Sequence, residues 1–440
     1  MYQDIYNQKK TTPIGAIKSN IQSGMKIGFG NAMSQPYDLM HALAQEIRET
    51  DLTRIELFYF HAEKSLGDTL LQYDLMNDIT ANTLFMTGED RRLIRESAQY
   101  SNKKVINYIP NHFSQAIRLY EDVFKVDAFF MRVSKMDEYG YFSCGTNNDY
   151  SKTVGPKSKC LIVEVNENMP YVEGDSKIHI DDVSAIVESC TPLEKISIPN
   201  PTEVEEKIGQ IITTLIPDRA CLQVGIGALP TEVCAALVNH KDLGVHTELL
   251  TPGLMMLIER GVVTNKYKNI NTGKSVFAFS MGDSAEFYEK LNHHDGIESY
   301  PVDYVNDPGV IARIDNMISI NSTVEMDLTG ACNSEYINGH QYSATGGQVD
   351  FVRGAYLSKG GKSIIAFPST TKQGTISKIV PKLSGPVTTP RTDVHYVVTE
   401  YGYVNLKGLN SRQRAEKLIS LAHPDHRAML TEAAQNMHLI

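Results

Sequence analysis

The chain has 440 residues, 42% of them hydrophobic and 21% charged, with a formal net charge of −10. That length is too great for one compact core and argues for two domains, while the acidic balance excludes a general binder of nucleic acid or anionic lipid. Six scattered cysteines without a CxxC pair, an opening MYQDIYNQKKTTP with no apolar core of a signal peptide, and no apolar run of spanning length point to a cytoplasmic protein with reduced thiols, no cysteine-zinc site and no membrane segment.

From the N-terminus, Ile14, Ile17 and Ile21 recur at helical spacing. The turn SG, the apolar MKIGF, a Gly28-x-Gly30 loop and Pro36 follow, and Leu39, Leu43 and Ile47 then mark a second helix. The stretch CTPLEKISIPNPTEVEE, rich in proline and polar residues, reads as a linker with a boundary near residue 195, which sets domains of 1–195 and 196–440. Beyond it the order returns. Val204, Ile208, Ile211, Ile212 and Leu215 share a helical face, PDR turns, CLQVG forms a strand, GIGALP supplies a glycine loop, and Val233, Ala236 and Leu237 continue as a helix. The repetition predicts two related open α/β domains, each with its glycine loop at the C-terminal end of a strand, the edge where such sheets bind ligands. Further on, SVFAFSMGD, YPVDYVNDPGV, MISINSTVEMDLTG, YSATGGQVDFVRGA, KSIIAFPST and HYVVTEYG read as short strands ending in turns.

The candidate chemistries narrow quickly. GFGNAM and GIGALP lack the third glycine of a dinucleotide fingerprint, and TGKS and GGKS lack the upstream glycine of a phosphate loop, having Lys268 and Tyr356 in its place. His293-His294 and the HPDH of His423 to His426 stand apart from further metal ligands and read as surface histidines, so no metal site is expected. No G-x-S-x-G elbow anchors a serine hydrolase. Lys372, Lys378 and Lys382 form a basic cluster that is either ordinary loop charge or a phosphate holder. Glu248 in DLGVHTELL, just before the turn-forming Pro252-Gly253, and Glu400 in VVTEYG end apolar runs. A carboxylate there is solvated, paired or used, and spacing alone does not choose.

Taken together, GIGALP, LGVHTEL, PVDYVNDP, SATGGQVDFVRGA, TISKIVP, VTTPRTDVHYVVTEYG and AHPDHR resemble the acetyl-CoA hydrolase/transferase family, particularly its 4-hydroxybutyrate and butyryl-CoA:acetate CoA-transferases. The resemblance covers nearly the whole chain. It implies two α/β domains of the CoA-transferase type with the active site in the interdomain cleft, and an assembly as a homodimer or homotetramer. It places the nucleophile at Glu248, a polarising or positioning role at Asn306, and a charge-orienting role at Glu400. Against coenzyme A it places Gly225, Ile226, Gly227, Ala228 and Leu229, with Gly346 and Gly347 also at the site and Lys378 as the basic residue. Coenzyme A enters as part of the acyl-CoA substrate, and no tightly bound cofactor is expected. A glutamate suits the task, because a carboxylate can form an anhydride and then a thioester, conserving acyl energy that water would discharge. The implied reaction moves CoA between a short-chain acyl-CoA and a free acid such as acetate, butyrate or 4-hydroxybutyrate. An acyl-CoA hydrolase, or a transferase for a dicarboxylate such as succinate or itaconate, is the alternative. Thr231 and Leu249 depart from the residues usual in the family, and Met33 and Ser34 in NAMSQP are candidates for the acyl pocket.

Overall fold

The structure, a computed structural model, describes residues 2–101 and 103–440. Its contacts divide the chain into two units, Met1–Ile196 with Phe277–Tyr304, and Ser197–Val276 with Val305–Ile440.

The first unit is built on a seven-stranded sheet whose order is Ala185–Ser189, Cys160–Asn166, Ala128–Val133, Lys26–Phe29, Ile55–His61, Ile79–Phe85 and Ile106–Tyr108. Every neighbouring pair is parallel. Such a sheet is covered on both faces, which is why Ala128–Val133 is buried at every position and reads as a continuous apolar run apart from Arg132. Arg132 is tolerated because its Nε donates to Glu164 Oε1 at 3.1 Å, and Glu164 Oε2 in turn accepts the Asp38 amide in the first turn of the helix Tyr37–Glu49. The first strand in the sequence lies in the middle of the sheet, with later strands added on either side. Gly30 leaves it with its amide bonded to Phe130 O at 2.8 Å.

The second unit repeats this plan. In it, Cys221–Val224 lies between Gly244–Leu250 and Met317–Asn321, both parallel to it; Lys362–Ala366 and Tyr396–Thr399 extend the sheet, and the antiparallel Gly402–Asn405 closes that side. Again the first strand is central, the chain winds outward in both directions, and a glycine loop follows at the switch point. The amide of Gly225 bonds Ile320 O at 3.3 Å, as Gly30 does in its own unit. The helix Glu203–Thr213 opens with a capping box of Thr202 and Glu205 and buries Ile208 and Ile212, while Val204 on its outer side is exposed. Ile21, counted with the first-unit helix, falls just past its end at Asn20 and is buried there.

Two segments read as strands are helical instead. In YPVDYVNDPGV, Asp307 accepts the amides of Gly309 and Val310 and Pro308 occupies the first turn of a helix Pro308–Ala312. In YSATGGQVDFVRGA, the helix Gln348–Leu357 starts at Gly347 and buries Val349, Val352 and Ala355 at a spacing of three. Likewise Pro252-Gly253 opens a helix, Pro252–Glu259, capped by Thr251, where a turn was expected. In each case a proline or glycine that punctuates the chain marks a helix start.

Candidate functional site

Strand register sets the stage in the second unit. Cys221 pairs with Gly244 and Leu222 with Val245, so the two parallel strands run side by side, one toward Gly225 and the other toward Glu248. The side chain of Glu248 is half-buried, whereas His246 and Thr247 before it and Leu249 and Leu250 after it are buried.

The carboxylate is held. Asn306 Nδ2 donates to Glu248 Oε2 at 2.5 Å, and because a carboxylate only accepts, the amide nitrogen must face it. Asn306 is fully buried, and its neighbour Asp307 caps the Pro308–Ala312 helix, which fixes where its side chain starts. Gly347 completes the group. A Cβ at that position would collide with both Glu248 Oε2 and Asn306 Nδ2. Gly347 is also the N-cap of the helix Gln348–Leu357, so a carboxylate sits at the positive end of a helix. Three residues implied by resemblance, Glu248, Asn306 and Gly347, thus meet at one point. Gly346 stands beside them in the left-handed region at φ 56°.

The loop Gly225–Leu229 follows directly on the neighbouring strand Cys221–Val224. Gly227 takes φ 125° with ψ −177°, a backbone open only to glycine, and caps the helix Ala228–Ala236. Ile226 is exposed, Ala228 is half-buried, and Leu229 is buried. Thr231 gives its hydroxyl to Gly227 O at 2.9 Å, and Leu249, on the strand face opposite Glu248, is buried. Both departures from the family pattern therefore have local packing roles.

Glu400 and Lys378 form a second cluster in this unit. Ser369 donates its amide to Glu400 Oε2 at 2.8 Å and its hydroxyl to Oε1 at 2.5 Å, while its carbonyl accepts the Lys378 amide at 2.8 Å. The Lys378 ammonium lies 5.4 Å from the centre of the Phe367 ring. Burial pulls it down to about 8, against the opposing pull of the Glu205 and Glu400 charges. Lys378 and Glu400 are thus tied to the same residue, Ser369, which takes up both oxygens of the carboxylate and accepts the lysine's amide.

Ser369 and His246 stand beside these residues without a role implied by the sequence. Ser369 carries no signal beyond a strand end. His246 does, since it precedes Glu248 by two residues on a strand and so shares its face. In the first unit Met33 and Ser34 are both buried, and Ser34 Oγ donates to Arg132 O. The histidines set aside earlier have structural work: His293 stacks on Tyr171, His423 caps the last helix, and His426 bonds Gly374 O. Among the described residues no group of three His, Cys, Asp or Glu side chains is arranged to hold a metal, and no helix is long and apolar enough to cross a membrane.

Known proteins resemble the chain along its whole length. The acetyl-CoA hydrolase/transferase N-terminal domain matches residues 1–193 and the C-terminal domain of the same family matches 283–434. The succinyl-CoA:cyclohexane-1-carboxylate CoA transferase of Geobacter metallireducens is 42% identical, over 100% of this chain and 98% of its own. The 4-hydroxybutyrate coenzyme A transferase of Clostridium kluyveri is 41% identical, over 98% of each chain. Among solved structures, RipA from Yersinia pestis superposes with a TM-score of 0.97 at 51% identity, covering 100% of both chains.

Proposed function

The chain belongs to the acetyl-CoA hydrolase/transferase family and is a CoA-transferase acting on acyl-CoA, and from that premise we propose that Glu248 is its nucleophile, carrying CoA between a short-chain acyl-CoA and a free carboxylic acid. The observation that supports this reading is the Glu248 carboxylate held by the Asn306 amide against a glycine with no room for a Cβ.

Glu248 attacks the acyl-CoA carbonyl, the C–S bond breaks, and an acyl-glutamyl anhydride forms with free CoA thiolate. The thiolate then attacks the glutamyl carbonyl, the donor acid leaves as its carboxylate, and a glutamyl-CoA thioester remains. An acceptor carboxylate repeats the two steps in reverse, which makes the kinetics ping-pong. In each attack on the glutamyl carbon, negative charge builds on the oxygen facing Asn306, so the amide that orients the resting carboxylate also stabilises the tetrahedral state. Glu400, fixed by Ser369, orients the charge of Lys378, and Lys378 meets a phosphate of CoA. The loop Gly225–Leu229 offers backbone amides to the rest of the CoA chain of the substrate. The acceptor is an acid of the acetate, butyrate or 4-hydroxybutyrate kind.

Intact mass after brief incubation with butyryl-CoA, then peptide mapping, tests the route: an increase equal to CoA less water on the peptide holding Glu248 is expected, cleared by acetate with formation of acetyl-CoA. Breakdown of butyryl-CoA that leaves no adduct and ignores added acetate, butyrate, 4-hydroxybutyrate and succinate would instead identify a hydrolase. Faster clearance by succinate than by any monocarboxylate would move the substrate to the dicarboxylates.

Lys378 adds a pH signature. With its free-enzyme pKa at about 8, the cation that meets phosphate is present below that pH and lost above it, so kcat/KM for acyl-CoA should decline above about pH 8. Lys378→Arg keeps its charge and should remove the decline, whereas Lys378→Met should raise KM about tenfold or more at pH 7, the worth of a charged hydrogen bond. A parent profile flat to pH 9.5 would remove Lys378 from the CoA site.

A further inference from the structure

We propose that His246 is a positioning residue for the reaction, holding the Val305–Asn306 peptide so that the Asn306 amide meets Glu248; this rests on the reading of Glu248 as the nucleophile. His246 is fully buried and its Nε2 lies 2.8 Å from Val305 O. A carbonyl oxygen only accepts, so Nε2 carries the ring hydrogen and donates. Burial, with the nearby Lys268 charge, pushes the imidazole down to about 3, and the ring works as a neutral donor that stays the same across the pH range of the reaction.

The geometry closes a loop. Val305 C=O and Asn306 N–H belong to one planar peptide, so pinning the oxygen fixes the plane from which the Asn306 side chain departs. That side chain reaches back to Glu248, two residues beyond His246 on the same face of the same strand. The strand is also held immediately before His246. Val245 N donates to Asn265 Oδ1 at 2.9 Å, and Val245 O accepts the buried Lys268 ammonium at 2.8 Å. Lys268 lies over Gly244, where a Cβ would collide with its Cγ. The imidazole also faces Phe351, 6.3 Å away between ring centres, on the helix that begins at Gly347. Strand, helix start and Asn306 are therefore indexed to one ring.

Two near-isosteric polar variants separate positioning from packing. His246→Gln places an amide nitrogen near the position of Nε2 and should keep kcat within about threefold, while His246→Asn is too short to reach Val305 O and should lower kcat and the rate of adduct formation about 100-fold with KM little changed, the cost of misplacing a reacting group. In an Asn306→Ala background, His246→Asn should cost less than about threefold more, because the residue it acts through is gone. Equal losses for Gln and Asn, a loss expressed in KM alone, or equal losses with and without Asn306 would overturn the proposal. If Glu248→Ala still forms the adduct, the nucleophile assignment beneath it falls instead, and that control is run on the same samples.

Discussion

Glu248→Ala is expected to lower CoA exchange by about 10⁴-fold or more and to abolish the covalent adduct, since removal of a nucleophile leaves only binding and charge stabilisation. Folding should survive, because Glu248 is half-buried and contributes no apolar core. Glu248→Gln is the sharper comparison. It preserves shape and still presents an oxygen to the Asn306 amide, yet it cannot form an anhydride, so it should bind acyl-CoA with an affinity near that of the parent and fail to turn over. Glu248→Asp keeps the chemistry but withdraws the carboxylate by one methylene from Asn306, and about 100-fold of rate should go with it. Steady-state exchange of butyryl-CoA with acetate, read beside thermal melts, checks all three. Activity in Glu248→Gln above about a tenth of the parent rate would sink the nucleophile assignment.

The second large effect falls on a residue with no side chain. Gly347 has φ −95° and ψ 9°, a conformation open to any residue, so backbone strain is not what demands glycine there. Space is. The methyl of Gly347→Ala would occupy the position of Glu248 Oε2 and Asn306 Nδ2, and something must move. The expected outcome is a kcat reduced about 100-fold or more, with a stability loss of about 1–3 kcal/mol typical of inserting a methyl into packed surroundings. Gly346→Ala is the contrast. Its φ of 56° makes a side chain cost about 1–2 kcal/mol, so it should lower the melting temperature with a smaller loss of kcat. If Gly347→Ala retained full kcat, the carboxylate would have room the structure does not show.

Much of the scaffold was legible along the chain. The helix from Tyr37 to Glu49, the strand from Cys221 to Val224 and the glycine loops after both central strands follow from local periodicity and punctuation. The helix Gln348–Leu357 was not. Its double glycine looks like a hairpin turn, and only its placement against the sheet shows Val349, Val352 and Ala355 as one buried face. The site divided in the same way. Glu248 was readable as a carboxylate in an apolar run, although the strand Gly244–Leu250 continues two residues past it rather than ending there, and its proposed use came from family likeness. Its partner lies 58 residues on, and no spacing rule links them.

By itself, the sequence determined an acidic chain of two α/β units in repeated order, with a carboxylate in an apolar run, because hydrophobic pattern, glycine and proline act over a few residues. Only the tertiary structure decided that 277–304 packs with the first unit, that Cys221–Val224 lies beside the strand of Glu248, that Asn306 and Gly347 converge on that carboxylate, and that His246 reaches Val305 O. Those outcomes depend on which strands become neighbours and how closely backbones approach. Long-range closure and packing set both, and neither is written in the order of residues along one element.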